Sequence, residues 1–548
     1  MMRPMSVAMV ICLACLASAS NGLRAEEPLH VAIDRLIDAK VDGAEMAPAA
    51  DDAEFLRRIM LDLAGRIPTV QETRQFLDDS SPQKRETAID SVLGGAEYPR
   101  RMQELFHAML MERRGDNPEW TKFLRSAFAE NLAWDQLVRS MLNPDAENEN
   151  RRGAAYFLTA RLTKEGAMAA VDVPGLTRDV GRLLAGVDLA CAQCHDHLTI
   201  DDYKQVDFQG LHMIFENMQS RGGLEYPAVT EKLLTQEKEF KSVFGSEVRK
   251  TMLRIPGAGD VPIATFPKGE EYVVVPDRKT KTPGVLKFSP LKELANRLAN
   301  EDNHMFARTI ANRLWYVMMG RGLVEPLDLF HSDNHPSHPE LLELLATEFA
   351  AHKFDIKWFL SQLARTRCYQ RSSRMPGDDP LPNATSYRVA NQKRLSAEQL
   401  FWSTMVATGE FDRLDKSAPQ DFEKLVTDTE ALSELQKQFI KVFANPPREP
   451  EVDFAPTVKA ALYLMHDPAV LQLLTPQPGN LLDRLNAQTE IDTIAESVFL
   501  SVLSRHPTPA DIALVKQTLH DTSGAARLES IRQLAWALLA STEFCVNH

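Results

Sequence analysis

Residues 191–195 read Cys191-Ala192-Gln193-Cys194-His195. Two thiols one turn apart can form thioethers to the two vinyl groups on one edge of a porphyrin, and the adjacent histidine can swing beneath the ring to ligate iron. With 6 cysteines and 14 histidines in 548 residues, this pattern arises by chance only about 0.002 times. It is the one strong chemical motif in the chain, and it predicts haem c attached at Cys191 and Cys194 with His195 on the iron. Two other chemistries use the same side chains. A Cys191–Cys194 disulfide would leave His195 incidental. A zinc clip would take Cys191, Cys194 and His195 or His197, with Cys368 or His212 completing the set, although the sequence holds no second Cys-x-x-Cys knuckle.

A bound haem has a sixth iron position, and the nearest candidates in sequence are His197, His212, Met213 and Met218. His212 falls on one predicted helix face with Phe208 and Phe215, and is the second metal-ligand expectation alongside His195. Asp196, Asp201, Asp202 and Asp207 lack the fixed spacing of a calcium loop and read as a solvated stretch. No Gly-x-Ser-x-Gly elbow, phosphate-binding glycine loop or His-Glu-x-x-His is present. His331, His335 and His338 lie close to Asp328, Asp333 and Glu340, mostly through turn and capping chemistry. With Arg313 they define a hydrolase reading that has no recognisable nucleophile.

The elements that must position these residues are helical. Asp51-Asp52 precede a stripe of Phe55, Ile59, Met60 and Leu63, and Gly65 is placed to end that helix. Thr69-Val70-Gln71-Glu72 is a capping box, and Ser337-His338-Pro339-Glu340 reads as another. Helices are expected over about 120–130, 134–142, 177–190 and 203–218. The stretch 222–289 is proline-rich, with a helical piece expected at about 230–253 and a β run at Glu271–Val275. The fold class is therefore mostly α: two multi-helical domains, 26–221 and 290–548, joined by a Pro-rich connector, 222–289, with a small β element. Internal likeness suggests repeated helix pairs. Leu63-Ala64-Gly65-Arg66-Ile67-Pro68-Thr69 resembles Leu503-Ser504-Arg505-His506-Pro507-Thr508-Pro509, and Asn131–Leu137 resembles Lys353–Phe359.

The first 25 residues have a basic start, an apolar run from about Ser6 to Ala19 and a small residue, Ala25, before Glu26. They read as a secretory signal peptide, so the chain is expected to be exported to the periplasm or cell surface. Export agrees with haem attachment, which in bacteria takes place outside the cytoplasm. No later segment is apolar enough to span a bilayer. Loss of residues 1–25 removes two arginines and no acid, taking 62 basic residues to 60 against 76 acidic ones. That balance excludes a phosphate-backbone partner, so no nucleic acid is expected. Four cysteines are too few for a disulfide scaffold.

The segment Leu56-Arg57-Arg58-Ile59-Met60-Leu61-Asp62-Leu63-Ala64-Gly65-Arg66-Ile67-Pro68-Thr69, together with Cys191–His197, resembles the signature blocks of a cytochrome-like planctomycete domain of unknown function. Asn312–Trp315, Gly320–Val324 with Asp328, His335–Leu342 and the ending Glu543–His548 resemble the family usually joined to it. The resemblance spans most of 29–218 and 290–548. It implies an exported, haem-bearing protein without an established activity. The expectation is electron transfer or redox support of an extracytoplasmic system, with a redox partner. The competing expectation is a non-redox binding or scaffold module in which Cys191 and Cys194 form a disulfide or zinc clip.

Overall fold

The computed structural model describes residues 27–548 except 42, 163–171, 278, 280–281, 378–379, 416–425, 427–428 and 450–457. The expected signal peptide lies outside the described residues. Helices run from Leu29–Val41 to Gln205–Glu216, and resume at Pro290–Leu298. Between them lie small antiparallel pairs: Met218–Ser220 with Val229–Glu231, Lys238–Lys241 with Val248–Thr251, Leu253–Ile255 with Gly259–Val261, and Tyr272–Val274 with Val285–Leu286. The fold is mostly α, as the hydrophobic periodicity predicts. No helix among the described residues is long and apolar enough to cross a membrane.

The expected helix over 230–253 is instead a set of strands. Its Glu- and Lys-rich composition favours a helix, but pairing Lys238 with Thr251 and Phe240 with Arg249 buries Phe240 and Thr251 while the alternate side chains face outward. The second expected capping box also fails. The helix Pro339–Ala351 takes His338 as its N-cap residue, without a side-chain cap, because proline sits naturally at the first helical position. Ser337 Oγ bonds to His338 Nδ1 instead, at 3.2 Å.

Two hydrophobic cores organise the molecule. The first gathers helices from both sides of the connector, from Leu29 in the first helix to Leu363 near the end of Ile356–Arg365. Leu253, Ile255 and Val261 of the connector join it. The second is built from Leu400–Phe544 and receives Leu61 and Ile67 from the N-terminal part. The helix Asp52–Leu63 thus feeds both cores, and its polar side chains have to find partners in the interior. Arg57 donates to the carbonyls of Glu543 (3.2 Å) and Phe544 (2.8 Å). Arg58 donates to the carbonyls of His548 (3.0 Å) and Arg371 (2.8 Å), and also to that of Tyr369. Asp62 accepts from Lys393, Tyr369 and Asn547. The arginine-rich signature is therefore the clamp that holds the C-terminal segment.

The internal likeness is structural. Thr69 and Thr508 both form complete capping boxes, with Glu72 and Asp511. Arg66 pairs with Glu72 and Glu97, each at 2.7 Å; Arg505 pairs with Asp511 at 2.8 Å and Glu543 at 2.6 Å. In each unit one arginine ties the start of a first helix to an acid beyond it. The segments 131–137 and 353–359, also alike in sequence, meet face to face. Trp134 N donates to Phe354 O at 3.0 Å, and Asn131 Nδ2 to Asp355 Oδ1 at 3.1 Å. Asn131 and Phe354 each end a helix in the left-handed region, at φ 53° and 56°.

Candidate functional site

The helix Val173–Ala185 closes on Gly186 at φ 69°, and the chain then turns into a single 3₁₀ turn, Cys191–Gln193. The amides of Cys194 and His195 both bond to Cys191 O, at 3.2 and 3.3 Å. This tight turn sets both thiols outward: Cys191 and Cys194 are free and exposed.

Three elements hold the turn. From the helix Gln205–Glu216, Gln205 Nε2 donates to Cys194 O at 2.9 Å and Gln209 Nε2 to Gln193 O at 3.0 Å. They are four residues apart and so share one face. From the connector, Val243 N donates to Cys194 O at 3.1 Å, and Arg249 Nη2 to Gln205 Oε1 at 2.6 Å. Asp196 Oδ1 accepts from Gln205 N at 2.7 Å. Burial pushes the Asp196 carboxyl up, but that amide and the neighbouring Arg249 outweigh it and hold the group below the usual carboxylate range. The loop beyond is pinned to the C-terminal half by Ser332, whose N and Oγ donate to Asp202 at 2.8 and 2.6 Å, and by Tyr203 OH, which donates to Phe330 O at 2.8 Å.

His195 Nδ1 lies 2.7 Å from the carbonyl oxygen of Asp196. An Nδ1–H donated there fixes the tautomer with Nε2 bare, which is the form an iron-ligating imidazole takes. The ring rests 4.7 Å from that of Phe244. Phe244 and the adjoining Val243 are 72% and 65% exposed, and Leu198, three residues beyond His195, is 75% exposed, so exposed apolar side chains accompany the motif. The donor set therefore suits a porphyrin: two outward thiols on one turn, an oriented imidazole, and exposed apolar side chains.

The other sequence candidates have structural partners. His212 is buried and stacked on Phe208, with Nδ1 3.0 Å from Thr177 Oγ1 and Nε2 3.1 Å from Glu216. It lies on the same helical stripe as Gln205 and Gln209, one turn further on, and a ligand role requires exchange of one of those contacts. His197 Nδ1 accepts from Ile200 N at 2.9 Å and shapes the loop. Met213 and Met218 are packed in the first core. Cys368 is buried beside Thr366, and Met319 also touches it. Among the described residues no three His, Cys, Asp or Glu side chains converge to hold a metal ion. The hydrolase set is not assembled either. Arg313 is paired with Asp328, whereas His338 faces Ser337 and Tyr387 and His335 is exposed. Gln205, Gln209, Val243 and Arg249 escaped the sequence reading; only the four-residue spacing of the two glutamines hinted at a shared face.

PSCyt2 (DUF1549), a family of proteins of unknown function, matches residues 32–220, and PSD1 (DUF1553), another, matches residues 291–519. The chain carries the two as paired domains. The Cys-x-x-Cys-His turn and the Arg57, Arg58 and Asp62 clamp both belong to the PSCyt2 stretch. Tyr369 and Lys393, which reach Asp62, come from the PSD1 stretch. No curated protein and no solved structure matches the chain.

Proposed function

We propose that this chain is an exported carrier of one c-type haem, joined at Cys191 and Cys194 with His195 on the iron, and that it serves electron transfer or redox support of an extracytoplasmic system with a separate redox partner. The observation that carries the reading is the tie between His195 Nδ1 and the Asp196 carbonyl, which leaves Nε2 free beside two outward thiols. A haem so held would supply one-electron chemistry. The chain's own part is placement. Gln205 and Gln209 fix the backbone carbonyls of the motif turn, Asp196 orients the imidazole, and Leu198, Val243 and Phe244 offer apolar cover on the open side. The shallow, solvent-facing setting suits exchange of electrons with a docking partner rather than enclosure of a substrate.

The test is to make the protein, signal peptide included, in a bacterial host with and without a cytochrome c maturation system. Pigment that survives denaturation, stains for haem on a gel, gives a sharp reduced α band and is lost in Cys191→Ser/Cys194→Ser supports the reading. Colourless protein from the maturation-competent host overturns it. In that event a thiol count two short of the reduced chain marks a disulfide, and stoichiometric zinc by elemental analysis marks a zinc clip.

A further inference from the structure

A cavity of about 640 Å³ lies away from the Cys-x-x-Cys-His turn, where the helices Tyr98–Met111, His304–Met319 and Ala397–Ala407 meet the strand pair Lys393–Arg394 and Val546–Asn547. Both domains contribute to its walls. Its size is that of a small-molecule site, and its lining is unusual in carrying both signs of charge in the interior.

The acids of the lining are already matched. Asp62 pairs with Lys393 at 2.6 Å, Glu104 with Arg100 at 3.2 Å, and Glu112 with Arg182 and Arg114 at 2.5 and 2.6 Å; Glu398 pairs with Arg113. Arg101 is left over. It is only 5% exposed, and its stem lies where a Cβ on Gly65 would be, 2.9 Å from Arg101 Cδ. Nε donates to Asp62 O at 3.2 Å. Among the described residues Nη1 and Nη2 have no hydrogen-bond or ion-pair partner, and the guanidinium lines the cavity. The two Nη atoms open onto the cavity, so their fork can take a two-oxygen anion in place of solvent. Leu105, Ala108 and Met109 follow Arg101 along the same helix and also line the space, so the apolar lining ends about 12 Å from Arg101 at 1.5 Å per residue.

We propose that this cavity binds a small organic carboxylate, its carboxylate forked on Arg101 and its carbon skeleton lying along Leu105, Ala108 and Met109. The site is separate from the haem reading and does not depend on it. The fork selects a planar two-oxygen anion, and the apolar track selects against a bare mineral anion.

Isothermal titration of the full mature chain with hexanoate, hexanol and inorganic phosphate tests this. Saturable hexanoate binding is expected, at least tenfold tighter than hexanol, with phosphate no better than hexanol. Arg101→Gln should bring hexanoate down to the level of hexanol, roughly a tenfold loss for one charged hydrogen-bonding group. Ala108→Phe, which fills the cavity from the apolar side, should remove both. Circular dichroism and melting without ligand check that each variant is folded. If Arg101→Gln does not fold, the hexanoate-to-hexanol ratio on the unaltered chain and the Ala108→Phe result decide. Hexanoate binding no tighter than hexanol, binding unchanged in either folded variant, or phosphate binding as tightly as hexanoate overturns the assignment.

Discussion

Lys393 Nζ donates to both carboxylate oxygens of Asp62, at 2.6 and 2.7 Å, across 331 positions of sequence. Both groups are in the interior, and the lysine is further fixed by the carbonyls of Val317 and Met318 at 3.0 and 2.9 Å. Tyr369 OH and Asn547 Nδ2 complete the carboxylate, each at 2.8 Å. One aspartate of the signature thus gathers three distant pieces of the chain.

Removing one member of that pair leaves a buried charge alone. Lys393→Met is expected to lower unfolding free energy by about 3–5 kcal/mol. Asp62→Asn should cost a similar amount, and the double variant clearly less than the sum, because the two share one interaction. Urea denaturation of the four proteins checks this; additive losses would show that the pair is not coupled.

The two repeated arginines differ in depth, and their value should follow. Arg66 has a side chain 5% exposed, Arg505 one 27% exposed. Arg66→Met removes the deeper guanidinium, although its partners Glu72 and Glu97 are 37% and 32% exposed, and should cost about 2 kcal/mol, whereas Arg505→Met should cost about 1 kcal/mol. Equal shifts in denaturation midpoint would contradict the assignment of depth as the deciding variable.

Two histidines make the fold acid-sensitive. Burial, with Lys40 nearby, pushes the His338 imidazole down to about 4, and burial with Arg57 beside it does the same for His548. Both stay neutral in the folded chain while the unfolded chain takes up protons near pH 6.5. Their contribution is complete above that value, declines as pH falls, and stops declining near 4. Between pH 7 and 5.5 the loss should be about 1 kcal/mol for each, after allowing for partial solvent screening. His338→Gln should flatten the stability curve in that window; an unchanged slope would rule this histidine out as its source.

The thiols should separate by access. In colourless protein starting at Glu26, Cys191 and Cys194 are free and exposed, while Cys368 is buried and its thiol is pushed up to about 12 by burial. An aromatic disulfide reagent should label the first two within the native protein and Cys368 only on unfolding. Mass spectrometry of labelled peptides reads this directly, and early labelling of Cys368 would be the contrary result.

Much of the scaffold was readable from residue order. The helix Trp134–Leu142 and the Thr69 capping box sit where side-chain periodicity and local hydrogen-bond chemistry put them. The Cys-x-x-Cys-His spacing was likewise visible, since its signal is entirely local. What escaped is what depends on distant partners. The strands at 238–251 are helix-like in composition, and only cross-strand pairing of Phe240 and Arg249 decides otherwise. Arg57 and Arg58 resemble the solvated face of an amphipathic helix, yet they are spent on carbonyls near the far end of the chain. Gln205 and Gln209 offer only their four-residue spacing, since amides on a helix surface are common.

The sharing of one core by helices before and after the connector bears on how the polypeptide comes into being. A ribosome that has delivered the chain as far as Glu216 has produced helices whose inner faces still lack Leu294, Phe306, Ile310 and Phe349. That early product must wait, with oily surface showing, until some 170 further residues emerge, up to Tyr387. Splitting the gene at the connector should therefore give two sticky fragments, each soluble only when co-produced with its counterpart.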